Sequence, residues 1–198
     1  MTPETLAALA GFALAGVCTP GPNNAMLAAS GATFGWRATL WHAMGVALGF
    51  SVMLFLIALG LGEIFRQSPA FREGLSWLGA AVMLWLAWRI ARAGAPGEGG
   101  RARPLSFVEA AAFQWVNPKA WVMAIGVAAT YASGTRPVLE AALAAAVFVA
   151  AGLTSSQGWT LFGAGIGQLL GRGWRLRAFN VAMGLLLAGS ALWLVLGR

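Results

Sequence analysis

The chain has 198 residues, of which 59% are hydrophobic and only 10% charged, against about 25% charged in an ordinary soluble domain. With a mean hydropathy of +0.74, it leaves little room for a soluble globular domain and excludes intrinsic disorder. The net charge of +7 sits on arginines placed singly or in small groups between apolar runs, which argues against a nucleic-acid-binding face and for topology signals in a membrane. One cysteine and no aspartate exclude an internal disulfide framework, a multi-cysteine metal site and any catalytic triad that needs Asp.

Six stretches approach the roughly 20 apolar residues that a helix needs to cross about 30 Å of hydrocarbon: residues 5–28, 38–62, 74–93, 106–131, 138–165 and 177–197. Period-two alternation is absent, so barrel strands are not competitive. The first stretch has no basic residue before it, starts after Glu4, and carries a bulky Val17 before Cys18. It reads as a retained helix and not as a signal or lipoprotein leader. The second carries His42 and a Gly45-x-x-x-Gly49 pair that suits close helix packing and permits a homodimer. The third ends in Trp85, Trp88, Arg89 and Arg92, an interfacial anchor, and Arg172, Trp174, Arg175 and Arg177 play the same part before the sixth. With the N-terminus outside, the cytoplasmic segments hold Arg37, Arg89, Arg92, Arg101, Arg103, Arg172, Arg175 and Arg177, while the outer ones hold Arg66, Arg72, Arg136 and Arg198. The positive-inside rule then favours both termini outside, periplasmic in a bacterium.

The Gly- and Pro-rich stretch over residues 94–105 divides the chain into halves, 1–93 and 106–198, of three spans each. An odd number of spans gives the halves opposite orientations. The first span of each is interrupted by proline, at Thr19-Pro20-Gly21-Pro22-Asn23-Asn24 and at Val116-Asn117-Pro118-Lys119. This predicts one all-α transmembrane domain of six helices, built as two inverted three-helix repeats with a broken first and fourth helix.

The breaks carry the chemistry. Pro20 and Pro22 free the carbonyls of Gly16 and Cys18, and Pro118 frees that of Gln114. Unpaired carbonyls are tolerated in a membrane only inside protein or beside a wet cavity. Each half-helix after a break begins with unpaired N–H groups that attract anions. Asn23, Asn24 and Asn117 add amides able to donate and accept. Lys119 is the sole lysine and lies in an apolar span, where a cation costs about 2.5–3.5 kcal/mol. It suits a substrate carboxylate or a transferred proton. His42, the sole histidine, is either a proton carrier or an interfacial residue facing headgroups. Ser155 and Ser156, within the polar run Thr154–Gln157, either hold helices together or line a cavity, and Gln114, one turn before Pro118, has the same two readings. The candidate substrate-binding set is therefore Pro20, Pro22, Asn23, Asn24, Gln114, Asn117, Pro118, Lys119, Ser155 and Ser156, with Lys119 and His42 as proton-coupling candidates. No metal site or cofactor is expected, and the chemistry is that of a transporter and not of an enzyme.

These segments, with Gly35-Trp36-Arg37, Gly45-Val46-Ala47-Leu48-Gly49-Phe50, Leu78-Gly79-Ala80-Ala81 and Trp85-Leu86-Ala87-Trp88-Arg89, give the whole chain a resemblance to the LysE/RhtB family of bacterial amino-acid exporters. The stretch from Ser76 to Ala91 is similar to the cysteine and O-acetylserine branch, and Pro-Gly-Pro-Asn-Asn to the neutral-substrate members. The resemblance implies export of an amino acid or close derivative across the bacterial inner membrane by proton antiport, with the amino acid, protons and the bilayer as partners and no nucleic acid. The alternative is a cation or metal-ion exporter or channel of the same superfamily; the scarcity of carboxylates and thiols counts against it.

Overall fold

A computed structural model describes residues 1–93, 103–131, 135–171 and 173–197. Among them all regular structure is helical: α1 (Pro3–Cys18), α2 (Pro22–Phe34), α3 (Trp36–Leu56, continued by a π-helical turn, Ile57–Leu61), α4 (Gly62–Gln67), α5 (Pro69–Ala91), α6 (Phe107–Phe113, continued by a 3-10 turn, Gln114–Val116), α7 (Pro118–Tyr131), α8 (Pro137–Leu170) and α9 (Trp174–Leu196). The linker expected at 94–105 falls largely on residues 94–102, which lie outside the described residues, as do Arg101, Arg172 and Arg198 of the charge count.

Four helices, α3 with its π turn, α5, α8 and α9, are each long and apolar enough to cross a membrane, and α1 with α2, bent by 57°, is long and apolar enough as a pair, as a broken span or a re-entrant loop. The outward faces keep large apolar side chains such as Val122, Leu169 and Trp193 exposed, a surface that water would not tolerate over such an area. The chain is a multi-pass helical membrane protein. The stretch 106–131 is occupied by α6 and α7, of 7 and 14 residues.

Proline starts helices here more than it kinks them. Pro3, Pro22, Pro69, Pro118 and Pro137 all stand in the first turn of a helix, where the missing N–H has no intrahelical acceptor to lose. Side-chain caps reinforce several starts. Thr2 accepts from the Thr5 N–H, Ser68 from Phe71, and Ser106 and Glu109 form a reciprocal capping box. Gly35, at φ 82°, turns the chain between α2 and α3, and Gly60, at φ 124°, kinks it inside the π turn; both backbones lie where a Cβ is strained.

Small residues bring the helices into backbone contact. A Cβ on Gly31 would strike the Thr160 carbonyl, and one on Gly163 or Gly167 the carbonyls of Ala28 and Ala32, so α2 lies directly on α8. Gly45 and Gly49 seat α6: a Cβ on Gly49 would stand 2.5 Å from the Ala111 Cα, and one on Gly45 would strike the Phe107 carbonyl. The glycine pair that the sequence left open to a second subunit is thus filled within the chain. Further long packings join α3 to α8 and α5 to α9, whereas α7 touches α3 over a shorter stretch than α2 touches α8. The apolar core divides at the breaks. One cluster gathers Leu9 and Ala13 of α1 with Trp121 and Ala124 of α7; another joins Met26 of α2 to Phe113 beside the α6 turn.

Candidate functional site

The two breaks meet. α1 stops at Cys18 and α2 restarts at Pro22, with Thr19 and Gly21 extended between them. Asn117 is extended between the 3-10 turn and α7. The Lys119 side chain reaches from the second break to the first, where its Nζ donates to the Thr19 carbonyl at 2.6 Å. Gly21 makes room for it: a Cβ there would lie 3.1 Å from Lys119 Cδ and 3.3 Å from Nζ.

Side chains from α2 and α8 close on the exposed end of α1. Asn24 Nδ2 donates to the carbonyls of Val17 at 3.0 Å and Thr19 at 2.9 Å. Ser155 Oγ donates to the same Val17 carbonyl at 2.8 Å. The carbonyls expected to be freed were those of Gly16, Cys18 and Gln114. The side chains engage Val17 and Thr19 instead, because α1 ends before the prolines and these carbonyls belong to its last turn and the extended step after it. The Gln114 carbonyl is taken by the Asn117 N–H at 3.3 Å.

The two half-helix starts differ. Asn117 Oδ1 accepts from the Lys119 N–H at 3.1 Å and so caps α7. α2 has Gly21 at its cap and no side-chain cap, so the N-terminal N–H groups expected at both breaks stand open at α2 only. A reciprocal amide pair ties the breaks together: Asn23 Nδ2 donates to Gln114 Oε1 at 2.9 Å, and Gln114 Nε2 donates to Asn23 Oδ1 at 3.1 Å.

A cleft with about 500 Å3 of free space, its open mouth included, lies against this polar seam. Of the expected residues, Asn23, Asn24, Asn117, Lys119, Ser155 and Ser156 line it. Gln114, fully buried, stands behind it and holds Asn23. Pro20, Pro22 and Pro118 shape the breaks without lining the cleft. His42 is absent from it, and at 1% exposure it is no headgroup-facing residue; it lines a separate cleft. In the polar run, Thr154 bonds back to Ala150 and Gln157 accepts from the Trp36 indole, since helical periodicity turns only Ser155 and Ser156 inward. Sequence reasoning missed the apolar wall, Gly16, Val46, Ala47, Phe50, Met123 and Gly152, whose residue types are those of any packed span. It also missed Asn180, fully buried, whose amide holds Thr33 Oγ1 and the Ala93 carbonyl; an Asn within an apolar span was the available signal. Lys119 is the one charged side chain among the described lining residues. No group of three His, Cys, Asp or Glu able to hold a metal occurs among the described residues.

A multi-pass helical bundle with a cleft at two interrupted helices, one wall apolar and the other carrying amides, hydroxyls and a lysine, is the arrangement of a membrane carrier for a small polar solute. Comparison with known sequences agrees. Residues 14–198 match the family described as LysE type translocator. The chain is 33% identical over 194 residues to the cysteine/O-acetylserine efflux protein of Salmonella typhimurium, covering 96% of this chain and 97% of that protein. It is 32% identical over the same length to the protein of that name from Escherichia coli strain K12, with the same coverage. No solved structure matches the chain. The chain belongs to the LysE family of translocators, and is a transporter and not an enzyme.

Proposed function

We propose that this translocator exports a neutral amino acid, of the cysteine or O-acetylserine kind, by alternating access around the Lys119 cleft. The observation that carries the reading is the Lys119 ammonium, held at the junction of both breaks in a cleft with no acidic lining. One of its three donors serves the Thr19 carbonyl, leaving others for a substrate carboxylate, and the uncapped start of α2 adds N–H groups and its dipole. The substrate ammonium finds the side-chain oxygens of Asn24 and Ser156. Phe50, Met123 and Gly152 leave apolar room for a short side chain, while a cationic one would meet Lys119 with no counter-charge.

Six spans in two inverted repeats fit the packing. Clustering of α1 with α7, and of α2 with the α6 turn, is what antiparallel first and fourth spans produce. The pairs α3 with α8 and α5 with α9 join equivalent spans of the two halves. The lopsided contact, α2 deep on α8 but α7 light on α3, is the difference that rocking between the two access states would exchange. The chain sits in the bacterial inner membrane with both termini periplasmic. Lys119, inside the cleft, carries the exchanged proton in preference to His42, which is outside it.

The test is flux of labelled O-acetylserine and cysteine in proteoliposomes under an imposed pH gradient. Wild type transports saturably. Lys119→Ala loses a charged hydrogen bond of about 1.5–3 kcal/mol, or roughly 10- to 150-fold in affinity. Flux that survives the substitution removes Lys119 from the site, and no flux from folded wild type removes the exporter reading.

A further inference from the structure

A second cleft, with about 890 Å3 of free space, opens where α2 and α5 end, and it shares no lining residue with the first. Its charge is one-sided. Arg89, Arg92 and Arg103 line it, and among the described lining residues no acidic side chain does. Arg103 is already matched, its two terminal nitrogens donating to the Glu109 carboxylate at 2.6 and 2.8 Å, and this pairing raises the Arg103 pKa above its ordinary value. Arg89 and Arg92 are unmatched: among the described residues neither lies within ion-pair distance of a carboxylate. Each guanidinium instead rests on an indole, Arg89 on Trp85 and Arg92 on Trp88, with the central carbon 4.8 Å from the ring centre. Stacking fixes the plane of a guanidinium and leaves its N–H edge for a planar oxyanion.

The floor is polar and incompletely paired. His42 lines it at 1% exposure; Nδ1 lies 3.2 Å from Ser30 Oγ, and Nε2 has no partner. Burial strips that nitrogen of water and supplies no bond in return. The walls, from Met26, Leu86 and Ile90, are apolar. The two clefts lie along one face of α2. Asn23, Met26, Ser30 and Thr33 fall at i, i+3, i+7 and i+10, one face of a helix; Asn23 lines the central cleft and the other three line the second. Seven residues of helix separate Asn23 from Ser30, about 10 Å at 1.5 Å each.

We propose that this cleft is a second binding site, for the carboxylate of the transported amino acid, which Arg89 and Arg92 hold before it passes along this face of α2 to Lys119. The proposal rests on the exporter reading. The ligand is a small amphiphilic carboxylate: the unmatched guanidinium edges take the anionic group, and the apolar walls take its side chain. Passage to the central cleft leads past the Asn23–Gln114 pair, so the two sites are occupied in sequence and not by one ligand spanning both.

The test is position-specific and independent of flux. Full-length protein in discs of zwitterionic lipid is treated with butanedione, and modification of Arg89 and Arg92 is quantified by peptide mass spectrometry, with O-acetylserine and with its carboxamide. At a ligand concentration twice the dissociation constant, mass action slows modification about threefold. The expected result is that protection by O-acetylserine, absent with the carboxamide, in wild type and equally in Lys119→Ala. In flux assays, Arg89→Gln with Arg92→Gln raises the KM for O-acetylserine more than it changes kcat, and an unchanged KM overturns the second site. Protection that disappears in Lys119→Ala overturns a separate site. Protection produced by anionic phospholipid and indifferent to amino acid overturns the assignment in favour of a lipid phosphate. No protection alongside intact Lys119-dependent flux overturns the second site and spares the exporter reading; absence of both removes that reading too.

Discussion

Asn23 and Gln114 form the one side chain-to-side chain hydrogen-bonded link between the two interrupted helices among the described residues. Asn23→Ala leaves Gln114 Oε1 unpaired in a fully buried position, while Nε2 keeps the Ala110 carbonyl at 2.9 Å. An orphaned buried acceptor costs about 1–3 kcal/mol. For a chain of 150–250 residues, each kcal/mol moves Tm by about 2–4 °C, so a loss near 2 kcal/mol lowers it by about 4–8 °C. Gln114→Ala costs less in polar terms, because Asn23 lines the cleft and reaches water, but it opens a void. Removing both partners leaves no orphan, so the double variant loses less than the singles summed, with a coupling of about 1–2 kcal/mol. Tryptophan fluorescence melts of the four proteins in detergent read the cycle. The exchange Asn23→Gln with Gln114→Asn, which conserves combined length, restores part of the lost Tm. Single losses that add to within about 0.5 kcal/mol would refute the idea that this pair joins the breaks.

Gly49→Leu drives side-chain atoms into the α6 backbone at Ala111 and destabilises by about 1–3 kcal/mol or prevents folding, whereas Gly189→Leu, with nothing within 4 Å, leaves Tm unchanged; the yield and melting of the two proteins check this. Asn24→Ala removes donors to both Val17 and Thr19, and Ser155→Ala only one to Val17, so flux falls further in the first, and equal losses would contradict the assignment. Ser156→Asp puts a carboxylate into the cleft that Lys119 also lines, which depresses neutral amino-acid flux and raises the relative rate for lysine; an unchanged ratio in a competition assay would place Ser156 outside the site.

Both breaks were legible because proline beside asparagine in an apolar span has few structural explanations, and a lone lysine beside one of them has fewer still. What lay beyond the sequence was how each break is satisfied. Asn117 caps its own half-helix, whereas Asn24 reaches back across its break to Val17 and Thr19. Proline logic alone does not distinguish a helix that continues past a missing hydrogen bond from one that stops and restarts. Gln114 was placed among the lining residues for its polarity, but its partner lies 91 positions away, and only the tertiary contact puts it behind the cleft. His42 was ambiguous because a span's sequence position gives its depth and not its facing. The apolar half of the cleft had no signal, since Val46, Phe50 and Met123 could equally face lipid.

The glycines explain how a bundle tolerates two interrupted helices. A break shortens each helical piece and removes the long ridge against which a neighbour would pack, so short pieces must approach closely to recover dispersion contacts. The contacts fall where this requires them. Gly45 and Gly49 of α3 seat the seven-residue α6, Gly79 of α5 meets the Val116 carbonyl at the second break, and Gly163 and Gly167 of α8 meet the carbonyls of α2 after the first. Each places a Cα against a carbonyl or a neighbouring backbone, with at most an alanine methyl or a leucine tip beside it. Such interfaces hold by proximity and carry little interlocking of side chains, so one piece can slide on another at smaller cost than knobs in holes would impose. The half-helix α2, which lines both clefts along one face and rests on α8 through glycine, is therefore the element on which a change of access would turn.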